Sequence, residues 1–139
     1  MNYSFPRKKP SPVPKIIVTP EYLAKGSLKK SYINTRLAFN VPWMGVVAMA
    51  FAKYPSFYNS LWQYINPLTK SIEFDELCKK LIIISKKKAL ELKPKSLRKN
   101  LKKIGYNNYE TKKIDEVNQI FTTGNMPYLI MATIARIFL

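Results

Sequence analysis

Acidic side chains are the first candidates for chemistry, because the chain contains no histidine. This absence excludes serine–histidine and cysteine–histidine mechanisms, so catalysis would depend on carboxylates, lysines, tyrosines or amides. The eight acidic residues include one close cluster, Glu73, Asp75 and Glu76. We interpret it as the first turn of a helix, where acidic residues interact favourably with the helix dipole. Asp115 and Glu116 lack the spacing of metal ligands, and we interpret them as surface residues.

Metal and cofactor chemistry has few residues to draw on. Cys78 is the only cysteine, which excludes an internal disulfide. A single cysteine without histidine also disfavours zinc, haem and iron–sulfur sites. Cys78 falls on the apolar stripe of a predicted helix, which indicates a small buried side chain rather than a reactive thiol. The four glycines do not recur at the spacing of a phosphate-binding loop. We therefore expect no cofactor and no metal.

Two short segments place unusual side chains beside predicted turns. Pro42 breaks a helix and leads into an apolar segment that begins at Trp43. The residues 124–127, Gly-Asn-Met-Pro, predict a turn with the amide of Asn125 at the start of an apolar helix. Asn125 either caps that helix or holds a water or ligand in an apolar pocket. For Trp43, which is presented beside a turn, we expect packing in the core.

The charge of the chain is strongly positive, with 24 Lys and Arg against 8 Asp and Glu and a net charge of +16. Such an excess raises nucleic acid or another polyanion as a partner. Only four of the 24 are arginines, the residues best suited to bidentate phosphate and base recognition. The densest run, from Lys86 to Lys103, has nine basic residues and no aromatic residue for base stacking. We interpret this run as a solvated helical face, with nucleic-acid binding as the alternative.

Apolar residues at helical spacing, interrupted by prolines, cover most of the chain. A first helix is predicted over about 27–39, with Leu28, Tyr32, Ile33 and Leu37 on its apolar face. An apolar core segment is predicted to follow over 43–54. Pro55 begins a short helix that ends at Asn66-Pro67, and the next helix runs from about Ser71 to Leu92. After Ser96, a helix is predicted with Leu97, Leu101 and Ile104 facing inward. A further helix is predicted over 109–121, capped by Asn108. A turn over 122–125 then leads into a last helix, with Pro127 in its first turn.

These elements predict an all-α, single-core bundle of six or seven helices over residues 27–139. An extended arm, rich in proline and basic residues, is predicted over residues 1–26. The N-terminus lacks the apolar region of a signal peptide, and the apolar run over 127–139 is too short to span a bilayer, so we expect a cytoplasmic protein. The apolar end, Ile137-Phe138-Leu139, implies burial against another copy, another chain or further sequence.

Two stretches of the chain resemble signatures of the group I DL-2-haloacid dehalogenases, also called the halocarboxylic acid dehydrogenase family. The first runs from Val41-Pro42-Trp43 through Ala50-Phe51-Ala52-Lys53-Tyr54-Pro55 to Leu61-Trp62, and the second is Phe121-Thr-Thr-Gly-Asn125 with Leu129-Ile-Met-Ala-Thr133. The resemblance covers about residues 27–139. It implies an all-α enzyme of two tandem repeats that form a pseudo-dimer with the active site between them. An aspartate of the second repeat would activate a water that displaces the halide directly, without a covalent ester.

Carried onto this chain, the resemblance matches Asn125 to an asparagine that positions the water. Trp43 matches a tryptophan of the substrate pocket, and Val46 falls where the first repeat has a second, aromatic pocket residue. Val47 falls at the position that holds the catalytic aspartate in the second repeat. The chain thus resembles a lone first repeat, and a valine cannot accept the proton that general-base catalysis must remove.

The resemblance implies a 2-haloacid dehalogenase that removes halide hydrolytically, with the proton acceptor on a second repeat. Whether this chain is itself an enzyme stays open, because it lacks that acceptor. The alternatives are a non-catalytic helical homodimer that binds small carboxylates and a basic nucleic-acid-binding module. The expected partners are a 2-halo or other small carboxylic acid and either a second copy or a chain that bears the second repeat. No membrane partner is expected.

Overall fold

The computed structural model describes residues 15–139, so most of the predicted N-terminal arm lies outside the described residues. The described part is helical and contains no strand, which confirms the predicted all-α class. A short 3₁₀ turn, Glu21–Leu23, precedes the first helix. Six helices follow, α1 (Gly26–Phe39), α2 (Val46–Phe51), α3 (Pro55–Leu68), α4 (Ile72–Glu91), α5 (Leu97–Lys103) and α6 (Asn108–Phe138).

Aromatic packing at the end of α1 joins four helices into one core. The ring of Phe39 contacts Trp62 of α3 and Tyr128 of α6 edge-on, at centroid distances of 5.7 and 5.0 Å. It also stacks on Phe74 of α4 at 6.2 Å. Such aromatic pairs stabilise a core beyond the area they bury. The other buried apolar residues gather around this cluster, namely Ala24, Leu28, Tyr32, Val41, Met44, Ala48, Ala52, Tyr58, Leu61, Ile65, Ile130, Met131 and Ala135.

Helices α1 and α3 are held together by a small buried polar network. The Thr35 hydroxyl donates to the carbonyl of Ser31 at 2.7 Å, and it lies 2.8 Å from the Tyr58 hydroxyl. Because the hydrogen of Thr35 is already used, Tyr58 is the donor in that second bond. Tyr32 packs edge-on against Tyr58 and donates to the carbonyl of Thr19 at 2.8 Å. Burial raises the pKa of Tyr32 to about 12 and that of Tyr58 still further, so both remain protonated donors.

Local signals set the start of α4 as the sequence predicted. The Ser71 side chain accepts a hydrogen bond from the backbone N–H of Phe74 at 3.2 Å. Glu73 and Asp75 lie in the first turn, which is the favourable end of the helix dipole. The position of Glu73 and Asp75 therefore agrees with the interpretation that these carboxylates stabilise the start of the helix. Cys78 is half-buried against the core on the same helix, and burial raises the pKa of its thiol, as expected for an unreactive side chain.

The predicted turn over 122–125 is wrong, because α6 is one helix that contains both Gly124 and Pro127. Its N-cap is Asn107 rather than Asn108, in a capping box with Glu110. An apolar stripe at alternating three- and four-residue spacing continues in register through the turn-like residues. Packing of that stripe against the core overrides the local signals for a turn. The stripe consists of Ile114, Val117, Phe121, Gly124, Tyr128, Met131 and Ala135.

Two other predicted boundaries also shift. The apolar segment over 43–54 is not a full-length core helix: α2 covers only Val46–Phe51, and the Val46 side chain is 67% exposed. Helix α3 extends two residues beyond the predicted end at Asn66 and includes Pro67. Proline near the C-terminus of a helix removes only one hydrogen bond from the last turn, which the packed helix tolerates.

On α1, Ile33 and Leu37 are exposed, although the sequence predicted them on the apolar face.

The chain from Ile83 to Lys113 forms a helical arm outside the core. It comprises the end of α4, all of α5 and the start of α6, and no residue from 83 to 110 is buried. Leu97 and Ile104 are exposed and Leu101 is only half-buried, so the prediction that they face inward is wrong. Their spacing is helical, but no other element lies opposite them. Within residues 15–139, no helix is long and apolar enough to cross a membrane.

The buried Tyr58 hydroxyl provides a test of the α1–α3 contact. We expect Tyr58→Phe to lower the free energy of unfolding by about 1 kcal/mol, because Thr35 loses a buried donor. The midpoint of thermal unfolding, followed by circular dichroism, should fall by about a few degrees. Tyr22→Phe is the matched control, since Tyr22 is 85% exposed. An equal effect of the two substitutions would contradict the network described above.

Candidate functional site

Trp43 is positioned by the segment that joins α1 to α2. Asn40 ends α1 in the left-handed conformation, with φ of 51°. The chain then reverses, and the backbone N–H of Val41 donates to the carbonyl of Arg36 at 3.0 Å. Asparagine adopts this conformation more readily than most residues do. The reversal delivers Trp43 to the surface of α6, where its side chain is half-buried.

Tyr128 fixes the joining segment to α6. Its hydroxyl donates to the backbone carbonyl of Trp43 at 2.8 Å, across 85 residues of sequence. The same hydroxyl lies 3.9 Å from the sulfur of Met44. Burial raises the pKa of Tyr128, so the hydroxyl keeps the proton it donates at neutral pH. This hydrogen bond therefore sets the position of the Trp43 backbone relative to α6.

Two glycines allow the segment and the helix to approach closely. A Cβ atom at Gly45 would lie only 2.7 Å from the ring of Tyr128. A Cβ atom at Gly124 would lie 2.7 Å from Cγ1 of Val41 and 3.0 Å from Cη2 of Trp43. These distances are shorter than carbon atoms tolerate, so any larger residue would push the elements apart. The role of Gly124 is thus close packing within a helix, not the turn that the sequence predicted.

Trp43, Phe121 and Asn125 form a patch, which we call the Trp43 patch. The rings of Trp43 and Phe121 lie 4.7 Å apart with an interplanar angle of 41°. Phe121 and Asn125 are four residues apart on α6, so they share one face of the helix. Asn125 directly follows Gly124, which touches Trp43, and its side chain is exposed. Asn125 therefore follows directly on the residue of α6 that Trp43 packs against, and it lies inside the helix rather than at its cap.

Val46 and Val47 lie in the first turn of α2, three and four residues after Trp43. Val46 is exposed, whereas Val47 is half-buried against the core. Because they follow Trp43 so closely in the sequence, both valines lie near the Trp43 patch, and helix α2 also contacts α6. Neither side chain carries a group that binds a proton. Their roles as pocket residues stay predictions from the resemblance.

The carboxylates of the chain are poor candidates for a general base. All eight lie among the described residues, and none of them is buried. A hydrogen bond from Lys113, 2.8 Å from Glu116, lowers the pKa of that carboxyl. A general base that works near neutral pH instead needs a pKa raised by its surroundings. Within residues 15–139, no group of three or more acidic or cysteine side chains is arranged to hold a metal.

The Trp43 patch borders two apolar surfaces that none of residues 15–139 covers. The core-facing stripe of α6 continues beyond Phe121 to Val117 and Ile114, which are both exposed. On the other side, Leu129 begins a groove of about 350 Å³ between α4 and α6. Contiguous apolar surface that is exposed on a single chain commonly marks a site of interaction with another molecule. The groove is lined by Leu77, Leu81, Leu129, Ile130, Thr133, Ile134 and Ile137.

Comparison with known proteins gives no match to a family model. Curated relatives do match. The chain is 36% identical over 137 residues to the (R)-2-haloacid dehalogenase of Rhizobium sp. (strain NHG3), covering 96% of this chain and 52% of that protein. It is 32% identical over 131 residues to the (R)-2-haloacid dehalogenase of Pseudomonas putida, covering 89% of this chain and 42% of that protein. The chain thus spans about half the length of the curated relatives it matches.

Solved structures give the same result. A D-2-haloacid dehalogenase mutant in complex with D-2-CPA superimposes with a TM-score of 0.81 at 31% identity. A D-2-haloacid dehalogenase with L-LA superimposes with a TM-score of 0.78 at 32% identity. Each match covers 90% of this chain and 44% of the other chain. At these identities the sequence and the fold agree, so the resemblance drawn from the two signatures is confirmed.

The close approach at Gly124 can be tested directly. Gly124→Ala should destabilise the protein, although alanine favours a helix by about 1 kcal/mol over glycine. The reason is that the overpacked Cβ would cost about 1–3 kcal/mol against Val41 and Trp43. The free energy of chemical unfolding, followed by circular dichroism, would report the sum of the gain in helix propensity and the cost of overpacking.

The matched test is a double-mutant cycle with Val41→Ala, which removes Cγ1. We expect the double variant to be more stable than the sum of the single effects predicts, by more than about 0.5 kcal/mol. Strictly additive effects, or a stabilising Gly124→Ala, would contradict the close contact.

Proposed function

Since this chain is related over nearly its whole length to 2-haloacid dehalogenases and spans about half of theirs, we propose that it forms one half of such an enzyme. This half would bind the 2-haloacid and position the attacking water, through Trp43 and Asn125 respectively. The proton acceptor would come from a second half. The substrate class follows the printed names of the relatives, which are called 2-haloacid dehalogenases.

The observation that supports this proposal is the composition of the Trp43 patch. It unites an aromatic wall and an amide, and it lies at the edge of the core where an apolar stripe continues uncovered. Such a patch suits a small ligand with an apolar body and a polar end. What it lacks is a carboxylate, because none of its three residues is acidic and neither is Val46 or Val47. The patch therefore has the features of a binding half without those of a base.

The proposed chemistry divides between the two halves as follows. The Asn125 amide would hold a water by hydrogen bonding, while Trp43 and the valines would surround the substrate carbon. The acceptor on the second half would take one proton from the water as its oxygen bonds to C2. The carbon–halogen bond breaks at the same time, and the electron pair leaves with the halide. The product is a 2-hydroxy acid, and the net positive charge of the chain favours the approach of an anionic substrate.

Two kinds of molecule could supply the second half. One is a separate chain that carries an acidic residue at the position equivalent to Val47. The other is a second copy, which would present another Val47 and no acceptor. In the second case the assembly would bind small carboxylates without hydrolysing them. The absence of an acidic residue from the Trp43 patch and from positions 46 and 47 is the observation that favours this non-catalytic alternative.

A complementation experiment tests the proposal. Purified wild-type protein incubated with racemic 2-chloropropionate should release no chloride above the buffer rate. An equimolar mixture with a Val47→Asp variant should release chloride, because the variant restores an acceptor. The gain should be at least about a hundredfold, the lower range for general-base catalysis. Val47→Asn is the matched control, since it has the same shape but cannot accept the proton.

Two further measurements keep the outcome interpretable. Circular dichroism would confirm that the Val47 variants fold, and sedimentation would show whether mixed assemblies form. Removing the amide by Asn125→Ala in both copies should abolish the restored activity. Steady chloride release by the wild-type chain alone would refute the claim that its acceptor is missing. Folded mixed assemblies that release no chloride would refute the proposed half-enzyme.

A further inference from the structure

The positive charge of the molecule is concentrated on the helical arm, residues 83–113. The arm carries eleven Lys and Arg against two acidic residues, Glu91 and Glu110, for a net charge of +9. The rest of the described chain carries ten basic and six acidic residues, for a net charge of +4. About a quarter of the described residues therefore hold more than two thirds of the net charge of residues 15–139.

Few of these charges are neutralised within the structure. Among the eleven basic residues of the arm, only Lys88 and Lys113 form ion pairs with carboxylates of the described chain, with Glu91 and Glu116 at 2.8 Å. Both pairs are on the surface, where ion pairs contribute little to stability. The lysines are thus not needed to hold the arm together, and their charge is directed outward.

The arm also exposes apolar side chains among its lysines. Leu92 at the end of α4 is 83% exposed, and Leu97 at the start of α5 is 74% exposed. Lys93, Pro94 and Lys95 lie between these two leucines. Ile104 after α5 is 71% exposed. The remaining exposed large apolar residues of the arm are Ile83, Ile84, Leu90, Tyr106 and Tyr109. This exposure changes the interpretation of the basic run from Lys86 to Lys103. A solvated face of lysines does not explain why leucines are exposed where α4 meets α5, at the tip of the arm.

The charge and the exposed apolar side chains together discriminate between three candidate partners for this surface: a nucleic-acid duplex, a second copy of the chain and an anionic lipid surface. A nucleic-acid duplex would satisfy the lysines but give the leucines no role, and Arg98 is the only arginine available for bidentate contacts. A second copy of the arm would satisfy the leucines but bring +9 against +9, which disfavours association. An anionic lipid surface satisfies both, because leucines enter the boundary of the acyl chains while lysines reach the headgroup phosphates.

We propose that the helical arm is a peripheral docking surface for an anionic membrane. The inference does not depend on the proposed function. It departs from the sequence-based expectation of no membrane partner, because the sequence alone does not show that the leucines are exposed. The arm would attach at its tip, without a membrane-spanning segment. The Trp43 patch would stay accessible, because Lys113 and Asn125 are separated by about 18 Å along α6.

Vesicle co-sedimentation of the full chain provides the test. We expect binding to vesicles of phosphatidylcholine with phosphatidylglycerol, and none to phosphatidylcholine alone. Binding should weaken as the salt concentration is raised from low to physiological, since salt screens the lysines. Replacing Lys93, Lys95 and Lys99 by glutamine should reduce affinity at least about tenfold at low salt. The matched control replaces the exposed α1-region residues Lys25, Lys29 and Lys30 by glutamine, which removes equal charge and should change affinity less than twofold.

The leucines distinguish a membrane from other polyanions. Leu92→Ser with Leu97→Ser should also reduce vesicle binding at least about tenfold. The control, Leu37→Ser with Ile72→Ser, removes equally exposed apolar side chains outside the arm and should have little effect. Absence of binding to anionic vesicles at low salt would overturn the proposal. If duplex DNA bound more tightly than the vesicles and the leucine variant bound both normally, the surface would instead be a nucleic-acid site, and the proposal would fail.

Discussion

The hydrogen bond from Tyr128 to the carbonyl of Trp43 holds the two parts of the candidate site together. It connects the last helix to the segment before α2, and it exists only because Gly45 leaves room for the Tyr128 ring. The ring is in turn anchored edge-on against Phe39, the residue on which the core aromatic cluster centres. A polar bond at the edge of the site is thus supported by apolar packing beneath it. The position of Trp43 relative to Asn125 is a property of the core and not of a flexible surface loop.

Helical class and several boundaries were predictable because the signals for them are local. Ser71 caps α4 through a hydrogen bond to a residue three positions later, and Pro55 begins α3 at the first position of the helix. The course of α6 was not predictable in the same way. Thr122-Thr-Gly-Asn125 has the composition of a turn, and the helix continues because its apolar stripe packs against the core, which includes the contact of Gly124 with Val41 and Trp43. That contact joins residues more than eighty positions apart, which no local pattern contains.

Burial was harder to predict than secondary structure, for a related reason. Helical spacing shows which residues share a face, but not whether another element lies opposite that face. Leu97 and Ile104 share a face as expected, yet both are exposed because the arm leaves the core. The pairing of Trp43 with Asn125 came from resemblance to a family and not from the residues themselves. Nothing in the local sequence indicated that the exposed amide of Asn125 follows directly on a residue that packs against Trp43.

Exposure of Asn125 bears directly on how the site would function. An amide in contact with bulk water exchanges its hydrogen-bonded waters freely and orders none of them. It can hold one water in a fixed position only when the patch is covered, because exclusion of solvent strengthens the remaining hydrogen bonds. The same cover would bury Ile114 and Val117, which extend the core stripe of α6 beyond Phe121. Under the proposed function, the burial of apolar surface that would drive assembly would therefore also make the amide competent. A half-site left uncovered would then be inactive because of solvent as well as because it lacks a base.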